Sequence, residues 1–441
     1  MSHSTPPPTG AAGRNHTPAT ASGARPHPEP SASGATRVLW ISTLAFTLMF
    51  AVWMMFGVLG VAIKKELNLT DSQFAWIAAV AILNGSIWRL PAGMIADRIG
   101  GRKVFVLLLL VSAVFSLAVA YAHSYVQLLV LAFFIGIAGN SFTAGISWNS
   151  AWATPEHQGL ALGIFGAGNL GASVTKFIGP VLITATAGQA YFGGLVSGGW
   201  RLVPVIYAVL LVLTAALVWF GTPAQDRTPG QGRSLSSRLL PLKHVQVWRF
   251  SLYYVAVFGA YVALSSWLPN YYVSHFTDNA GQPISLQTAA LITASFIFPA
   301  SLLRPLGGWV SDRFGARLAM RITFAIMLLT AAVLAMPRSF MPWLANIGLF
   351  AVIVFIHGCA MGIGKAAVYK HIPTYYPEDV GAVGGLVGML GGLGGFILPP
   401  LFAHFTPTSY PGGTFLVMAV LTGICIVWME VSIRSLRTHR V

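Results

Sequence analysis

Charged residues are scarce in this chain. Of its 441 residues, only 8% are Asp, Glu, Lys or Arg, whereas about 25% is typical of a soluble globular domain. Apolar residues make up 55% of the sequence. Because a soluble protein of this length needs charge to cover its surface, the composition argues against a soluble enzyme and favours a polytopic membrane protein.

Acidic residues and cysteines are also few. The chain has 11 Asp and Glu against 26 Lys and Arg, a formal net charge of +15. Nucleic-acid binding would need a solvated basic face, but here the bases lie mostly in short loops between apolar runs, which is typical of membrane orientation. Cys359 and Cys425 both fall in apolar runs, so we expect buried thiols rather than a disulfide framework.

Apolar segments about 20 residues long, enough to cross a hydrocarbon core as helices, recur along the chain. We predict twelve, at 38–63, 74–96, 104–122, 125–152, 159–187, 200–221, 247–272, 287–310, 318–337, 343–370, 381–405 and 413–433. The sequence therefore predicts an all-α membrane protein with two six-helix halves, residues 37–221 and 247–434, joined by a linker at 222–246.

The two ends of the chain are polar. Residues 1–36 are rich in Pro, Ser, Thr, Gly and Ala without periodicity, so we expect a disordered tail. No charged n-region with an apolar h-region begins at Met1, so a cleaved signal is not predicted. Most Lys and Arg lie in the tail, in the loop after span 2, in the central linker and its edge, in the loop after span 8, and in Arg434 and the C-terminal residues 435–441. By the positive-inside rule, we predict that both termini lie in the cytoplasm. The membrane that we predict for the protein is the inner membrane.

The two halves repeat each other. WRLPAGMIADRIGGRK (88–103) aligns without a gap with LRPLGGWVSDRFGAR (303–317). A weaker correspondence links Gly159, Gly163 and Gly166 of span 5 to Gly381, Gly385 and Gly388 of span 11. Two parallel six-helix halves with a site between them are typical of secondary transporters.

The repeated loop motif resembles that of the major facilitator superfamily. Its two copies comprise Gly93, Asp97, Arg98, Gly100 and Arg102 after span 2, and Gly308, Asp312, Arg313 and Arg317 after span 8. In that family the motif links neighbouring helices at the cytoplasmic side and helps to gate. We expect each acid to face the bases of its loop across a tight glycine turn, in a charge cluster that can break.

Two arginines are predicted near mid-membrane. Arg89 lies about 12 Å along the helix axis from Asp97, and Arg304 holds the equivalent position in the second half. Such a charge is costly unless it faces a cavity or a partner. The acids fall in the tail, in loops or, for Glu430, near the end of the last span, so we expect a substrate anion to supply the negative charge. The planar fork of arginine suits a planar oxyanion; a structural pair satisfied by backbone carbonyls is the alternative.

Spans 5 and 11 are dense in glycine, which lets helices approach closely. Little room then remains between the halves, and this favours a small substrate. We predict that glycines allow the halves to rock, at Gly163, Gly166, Gly168, Gly171, Gly388, Gly391 and Gly392. Asn169 can offer its amide to an oxyanion, or it can form an interhelical hydrogen bond.

A narrower resemblance lies in the same helices. GIFGAGNLGASVTKFIGP (163–180) resembles the nitrate signature of the NarK-type nitrate/nitrite porter family, and GLVGMLGGLGGFILPP (385–400) resembles its second copy. Arg89 and Arg304 match that family's anion-binding arginines, and the resemblance covers all but the tail. It implies that aromatic residues of spans 1, 4 and 7 close around the anion. The matching positions are Phe50, Phe142 and Tyr254, with Tyr261 as a rival to Tyr254. Each of these rings could instead pack in the core or against lipid.

An anion that enters a cell with an electrically negative interior needs a driving force, which a coupled ion can supply. Exchange of nitrate for nitrite needs no proton site, whereas proton symport needs a titratable group. The candidates are His357, Lys176, Lys365 and Lys370; His357 can also be a core histidine. VTKFIGP and GIGKAAVYKHIP resemble the proton-coupled subtype of NarK-type porters. We therefore predict nitrate/H⁺ symport, with nitrate/nitrite antiport and a carrier for a larger organic anion or drug as alternatives.

Other classes of protein fit the sequence less well. An enzyme would need clustered metal ligands or a nucleophile with its base, and a sensor would need a soluble output domain. We expect a monomer that has no cofactor, binds no metal and no nucleic acid, and whose partners are nitrate, nitrite as a second substrate, protons and the lipid bilayer.

Overall fold

The chain is almost entirely helical in the computed structural model, which describes residues 31–438 except 233, 279 and 408. A short hairpin pairs Ala190–Tyr191 with Val196–Ser197. Most of the tail predicted for residues 1–36 lies outside the described residues. Span 1 begins earlier than predicted, at Ala32, because the hydroxyl of Ser31 accepts a hydrogen bond from the N–H of Gly34 at 3.2 Å and caps the helix.

Spans 1–6 form the N-terminal half, and several of them are interrupted. Their segments are Ala32–Trp53 and Phe56–Leu67; Asp71–Ile87 and Arg89–Ile99; Gly101–Val119; Tyr125–Ile135, a 3₁₀ turn Gly136–Asn140 and Ser141–Trp152; Gln158–Gly166, a 3₁₀ turn Ala167–Leu170 and Gly171–Thr186; and a 3₁₀ turn Gly199–Arg201 with Leu202–Gly221. The linker contains Leu235–Leu239 and a 3₁₀ turn Leu240–Lys243.

Spans 7–12 form the C-terminal half. Their segments are Val245–Tyr254, a π-helical turn Val255–Gly259 and Ala260–His275; Leu286–Leu302 and Arg304–Phe314; Ala316–Ala335; Ile347–Tyr375; Val380–Phe405; and Gly413–Thr438. Within the described residues, eleven spans are long and apolar enough to cross a membrane. The remaining one is the glycine-rich span 5. All twelve predicted apolar segments are thus helical.

Spans 2 and 8 break at equivalent positions. Trp88 and Leu303 have ψ values of 2° and 0°, and each directly precedes a mid-span arginine, Arg89 or Arg304. A proline follows each arginine within two residues and cannot donate a helical hydrogen bond. Each arginine therefore starts a new helical segment in the middle of its span.

Apolar side chains cover the outside of the bundle, and polar ones lie inside. Val181, Leu213 and Val427 are each more than 60% exposed, whereas Arg89 and Arg304 are fully buried. A lipid-facing surface needs this distribution, because hydrocarbon cannot satisfy polar groups.

One end of the bundle, which we call the motif end, carries the loops after spans 2 and 8. The linker is fastened there through Asp226. Its carboxylate accepts hydrogen bonds from the indole N–H groups of Trp148 (3.0 Å) and Trp152 (2.9 Å) and from the backbone N–H of Arg102 (2.8 Å). The guanidinium of Arg102 donates to the carbonyl of Ala224 at 2.9 Å. Arg102 thus secures the linker rather than facing the acid of its own motif.

Candidate anion site

Arg89 and Arg304 meet at the ring of Phe142. Both arginines are fully buried, and Phe142 is 2% exposed. The guanidinium carbon of each arginine lies 5.4 Å from the centroid of the Phe142 ring. The two positions predicted from the internal repeat therefore contact the same aromatic ring.

The donors of the two guanidinium groups are only partly used. Arg89 donates from Nε to the carbonyl of Gly85 (2.8 Å) and from Nη1 to that of Gly388 (2.9 Å). Arg304 donates from Nη2 to the Tyr254 hydroxyl at 3.5 Å. Nη2 of Arg89, and Nε and Nη1 of Arg304, have no partner among the described residues. Backbone carbonyls thus accept hydrogen bonds from two of the three Arg89 nitrogens. One nitrogen of Arg89 and two of Arg304 remain as buried donors without a described partner at the same site.

Aromatic rings enclose the arginine pair. Tyr254 stacks on Phe258, with centroids 4.9 Å apart, and Phe258 lies parallel to Phe142 at 6.3 Å. Tyr369 packs edge-on against Phe142 (5.1 Å) and Tyr254 (4.8 Å). The rings of Trp53 and Phe258 lie 5.3 Å and 5.5 Å from the guanidinium carbon of Arg89. The walls are therefore flat, apolar and rigid, which favours a small planar guest.

Four aromatic residues were predicted for this site, and the structure brings two of them to the arginines. Phe142 and Tyr254 lie in the cluster. Phe50 packs edge-on against Phe46 (5.7 Å) and Trp53 (5.3 Å), one layer behind the site. Tyr261 shares a hydrogen bond with Ser301 at 3.0 Å instead of contacting a guanidinium group.

Three lining residues were missed from the sequence: Trp53, Phe258 and Tyr369. Phe258 follows Tyr254 by one helical turn, so helical spacing alone could have identified it. Trp53 and Tyr369 carry no comparable signal, because the packing of whole helices decides which of their faces meets the arginines.

Asn169 lies in the 3₁₀ turn of span 5 and is 1% exposed. Neither atom of its amide has a partner among the described residues. The interhelical hydrogen bond considered as the alternative is therefore not found there, and the predicted anion contact stays a prediction.

The glycine runs lie against the arginines of the opposite half. A Cβ atom at Gly166 would be 2.5 Å from Cζ of Arg304, and one at Gly388 would be 3.4 Å from Cδ of Arg89. The other predicted hinge positions are also crowded, by the carbonyl of Arg304 at Gly163, Phe46 at Gly168, Thr47 at Gly171, Tyr254 at Gly391 and Ser86 at Gly392. Close packing accounts for all seven glycines; their hinge role stays a prediction.

The motif acids bind across the halves. Asp97 accepts hydrogen bonds from Ser147 and from the backbone N–H of Gly381, the latter at 2.9 Å. Asp312 accepts from the N–H groups of Gly159 (2.9 Å) and Leu160 (2.7 Å). We expected each acid to pair with the bases of its own loop, but these described partners belong mostly to helix starts, where unpaired N–H groups attract anions.

The bases of the two motifs have other surroundings. Arg98 and Arg313 are exposed, and Arg313 lies over the rings of Trp309 and Phe314. Arg317 donates to the Tyr375 hydroxyl. The acids, and not these bases, join the two halves at the motif end, together with direct contacts of Gly93 on Gly381 and of Gly308 on Gly159.

The candidate proton carriers lie in four different environments. His357 is buried beside Thr330 (2.8 Å) between spans 9 and 10. Lys176 is exposed on the outer face of span 5. Lys370 forms an ion pair with Asp312 at 2.7 Å and belongs to the motif-end contacts. Lys365 is fully buried, and its Nζ lies 5.9 Å from the centroid of the Phe258 ring, which also contacts Arg89.

Comparison with known families agrees with this architecture. The family model described as Major Facilitator Superfamily matches residues 41–281 and 275–438. The chain belongs to the major facilitator superfamily. The predicted fold of two six-helix halves is thereby confirmed. Solved structures give the same result: the transporter FucP in its outward conformation matches with a TM-score of 0.68 at 17% identity, over 89% of this chain and 99% of that one.

Curated relatives place the chain more narrowly. It is 59% identical over 413 residues to the "Probable nitrate/nitrite antiporter NarK1" of Thermus thermophilus, over 91% of this chain and 92% of the relative. It is 31% identical to the "Nitrite extrusion protein" of Bacillus subtilis (strain 168), over 88% and 93% of the two chains. The chain is therefore a member of the NarK-type nitrate/nitrite porter family, as its signature segments predicted.

Proposed function

We propose that this protein transports nitrate, and nitrite as a second substrate, across the cytoplasmic membrane by alternating access. The observation that carries the proposal is the pair of buried guanidinium groups that contact the same ring, Phe142, with three donor nitrogens unpartnered among the described residues. A planar oxyanion can accept from both groups while its faces contact aromatic rings. The names of the relatives support the same substrates.

We further propose that the motif end faces the cytoplasm and is closed in this conformation. The hydrogen bonds of Asp97 and Asp312 join the two halves at that end. Rocking of the halves would break these bonds and expose the arginine pair to the cytoplasm, in the way that the family's two-half architecture allows.

Proton symport is the coupling that we favour, and nitrate/nitrite antiport is the second candidate. Symport is supported by Lys365, a titratable side chain buried within the aromatic cluster. Antiport is supported by the name of the Thermus thermophilus relative. A larger organic anion is disfavoured because Arg89, Arg304, Tyr254 and Tyr369 are at most 1% exposed and closely packed.

Uptake into proteoliposomes distinguishes these candidates. Labelled nitrate is supplied outside vesicles that contain the purified protein, with an acidic exterior and no internal anion substrate, or with equal pH and internal nitrite. Symport predicts uptake in the first condition. Uptake only with internal nitrite would establish antiport, and inhibition by bulky carboxylates rather than nitrite would contradict the proposed substrate.

A further inference from the structure

Lys365 adds a third buried cation to the arginine pair. Its Nζ donates to the carbonyl of Ala300 at 3.0 Å, one turn before Arg304 on span 8. The same Nζ lies 3.0 Å from the centroid of the Tyr261 ring on span 7. The ring of Phe258, whose centroid lies 5.9 Å from this Nζ, also contacts Arg89. Lys365 is therefore part of the site and not a remote structural lysine.

The charges around Lys365 do not balance within the protein. None of the carboxylates in the described part of the chain forms an ion pair with Lys365, Arg89 or Arg304; the described pairs involve Glu66, Asp312 and Glu430 elsewhere. The other titratable groups near it are the hydroxyls of Tyr261 and Tyr369 and, two turns along span 10, His357. Three ammonium and guanidinium charges beside one monovalent anion leave an excess that a low-dielectric site cannot hold without cost.

Arginine stays protonated in proteins, whereas lysine can release its proton when it is buried. Lysine is thus the member of this trio whose charge can change with the ligand. An anion bound between Arg89 and Arg304 would stabilise the ammonium form of Lys365, and its departure would favour proton release. By linkage, the protonated lysine would strengthen anion binding by the same factor.

We propose that Lys365 carries the proton that is transported with nitrate, an inference that rests on the proposed symport of nitrate. Proton and anion bind together from the acidic side, because each stabilises the other. They leave together on the opposite side, where the proton concentration is lower. The Nζ–H bond forms on loading and breaks on release, and the proton passes to and from water when the site opens.

The geometry also separates Lys365 from the three other candidates. His357 contacts Thr330 of span 9, Lys176 lies on the outer surface, and Lys370 binds Asp312 at the motif end. Among the four, Lys365 shares an aromatic neighbour, Phe258, with an arginine of the site.

The test compares proton-driven uptake with substrate exchange in proteoliposomes. Lys365→Met removes the titratable group at similar side-chain length, and Lys176→Met is the matched control. We expect Lys365→Met to reduce the rate of nitrate uptake driven by an inward proton gradient about tenfold or more, which is a typical size for the coupling between two ligands. Its nitrate/nitrate counterflow at equal pH, which needs no net proton movement, should fall much less than the proton-driven uptake, because Arg89 and Arg304 still hold the anion. Lys176→Met keeps both activities.

Each other outcome has a distinct meaning. If the unchanged protein ignores the pH gradient, the proposed symport is wrong. If it responds and Lys365→Met responds equally, the assignment to Lys365 is wrong and symport stands. If Lys365→Met loses both activities, a second measurement decides whether Lys365 carries the proton. It records how many protons the detergent-solubilised protein takes up when it binds nitrate. We expect the unchanged protein to take up protons as it binds nitrate and Lys365→Arg, with its fixed charge, to take up none; equal proton uptake by this variant would overturn the inference.

Discussion

The carboxylate of Asp97 accepts a hydrogen bond from the backbone N–H of Gly381, 2.9 Å away in the opposite half. Asp312 makes the equivalent contact with Gly159 at 2.9 Å. Each half therefore uses an acid at the end of one helix to hold the first turn of a helix in the other half. The two contacts obey the internal repeat, so we expect them to form and break together.

Neutralising these acids should weaken the closed motif end. Asp97→Asn or Asp312→Asn keeps an acceptor oxygen but loses its charge, and a hydrogen bond to a charged group contributes about 1.5–3 kcal/mol. We expect the maximal uptake rate to fall by about tenfold or more, as that energy implies, while nitrate binding measured by calorimetry stays near normal. Asp278→Asn, in the exposed loop after span 7, is the control. Unchanged uptake by both motif variants would contradict a gating role.

The arginine fork should be essential for binding. Arg89→Lys and Arg304→Lys each keep a positive charge but lose the planar set of donors. Loss of two charged hydrogen bonds, at about 1.5–3 kcal/mol each, should reduce kcat/KM for nitrate uptake by about 100-fold or more. Arg321→Lys, which alters the exposed pair with Glu430, should leave uptake close to normal. Full uptake by either site variant, at equal expression, would refute the anion clamp.

Phe258 and Phe50 provide a test of the aromatic cluster. Phe258 contacts Arg89 and stacks on Tyr254, whereas Phe50 lies behind Phe46 and Trp53. We expect Phe258→Ala to weaken nitrate binding by about tenfold, since a cation–π contact and a ring stack each contribute about 1 kcal/mol. Phe50→Ala should lower thermal stability and change nitrate affinity less. The reverse order of affinities would restore the sequence-based assignment to Phe50.

The glycines beside the arginines should tolerate no side chain. Gly166→Ala would place a methyl group 2.5 Å from the Arg304 guanidinium carbon. Overpacking of this kind costs about 1–3 kcal/mol, and here the cost falls on the binding geometry, so we expect nitrate uptake to be lost. Gly423→Ala in span 12 is the control, because nothing lies within 4 Å of the added atom. Normal uptake by Gly166→Ala would show that Arg304 can move without loss.

The repeat made the arginine pair predictable from the sequence. The two halves repeat at a constant difference in residue number, so Arg89 and Arg304 are expected at the same depth in the membrane. Two parallel halves bring such equivalent positions to the interface between them. The glycine correspondence has the same origin: Gly166 and Gly388 each lie against the arginine of the other half. Composition, apolar segments and repeats therefore determined the fold and the centre of the site.

The aromatic walls and the partners of the motif acids were harder to predict. The packing of span 1 against its neighbours decides whether Phe50 or Trp53 faces Arg89. In span 7, the π-helical turn Val255–Gly259 changes the rotation of the residues that follow Tyr254. The acids were expected to bind nearby bases, but backbone N–H groups at a helix start are invisible in a list of side chains. These features depend on tertiary packing.

The fastening of the linker limits how far the two halves can separate. Arg238 donates from Nη1 to the carbonyl of Met94 at 3.0 Å, so the chain stays attached to the N-terminal half up to this residue. Span 7 begins at Val245. Residues 239–244, which include the 3₁₀ turn Leu240–Lys243, connect Arg238 to span 7 and would reach at most about 20 Å if they were fully extended. A connection this short keeps the two halves close together at the motif end and prevents them from drifting apart in the lipid.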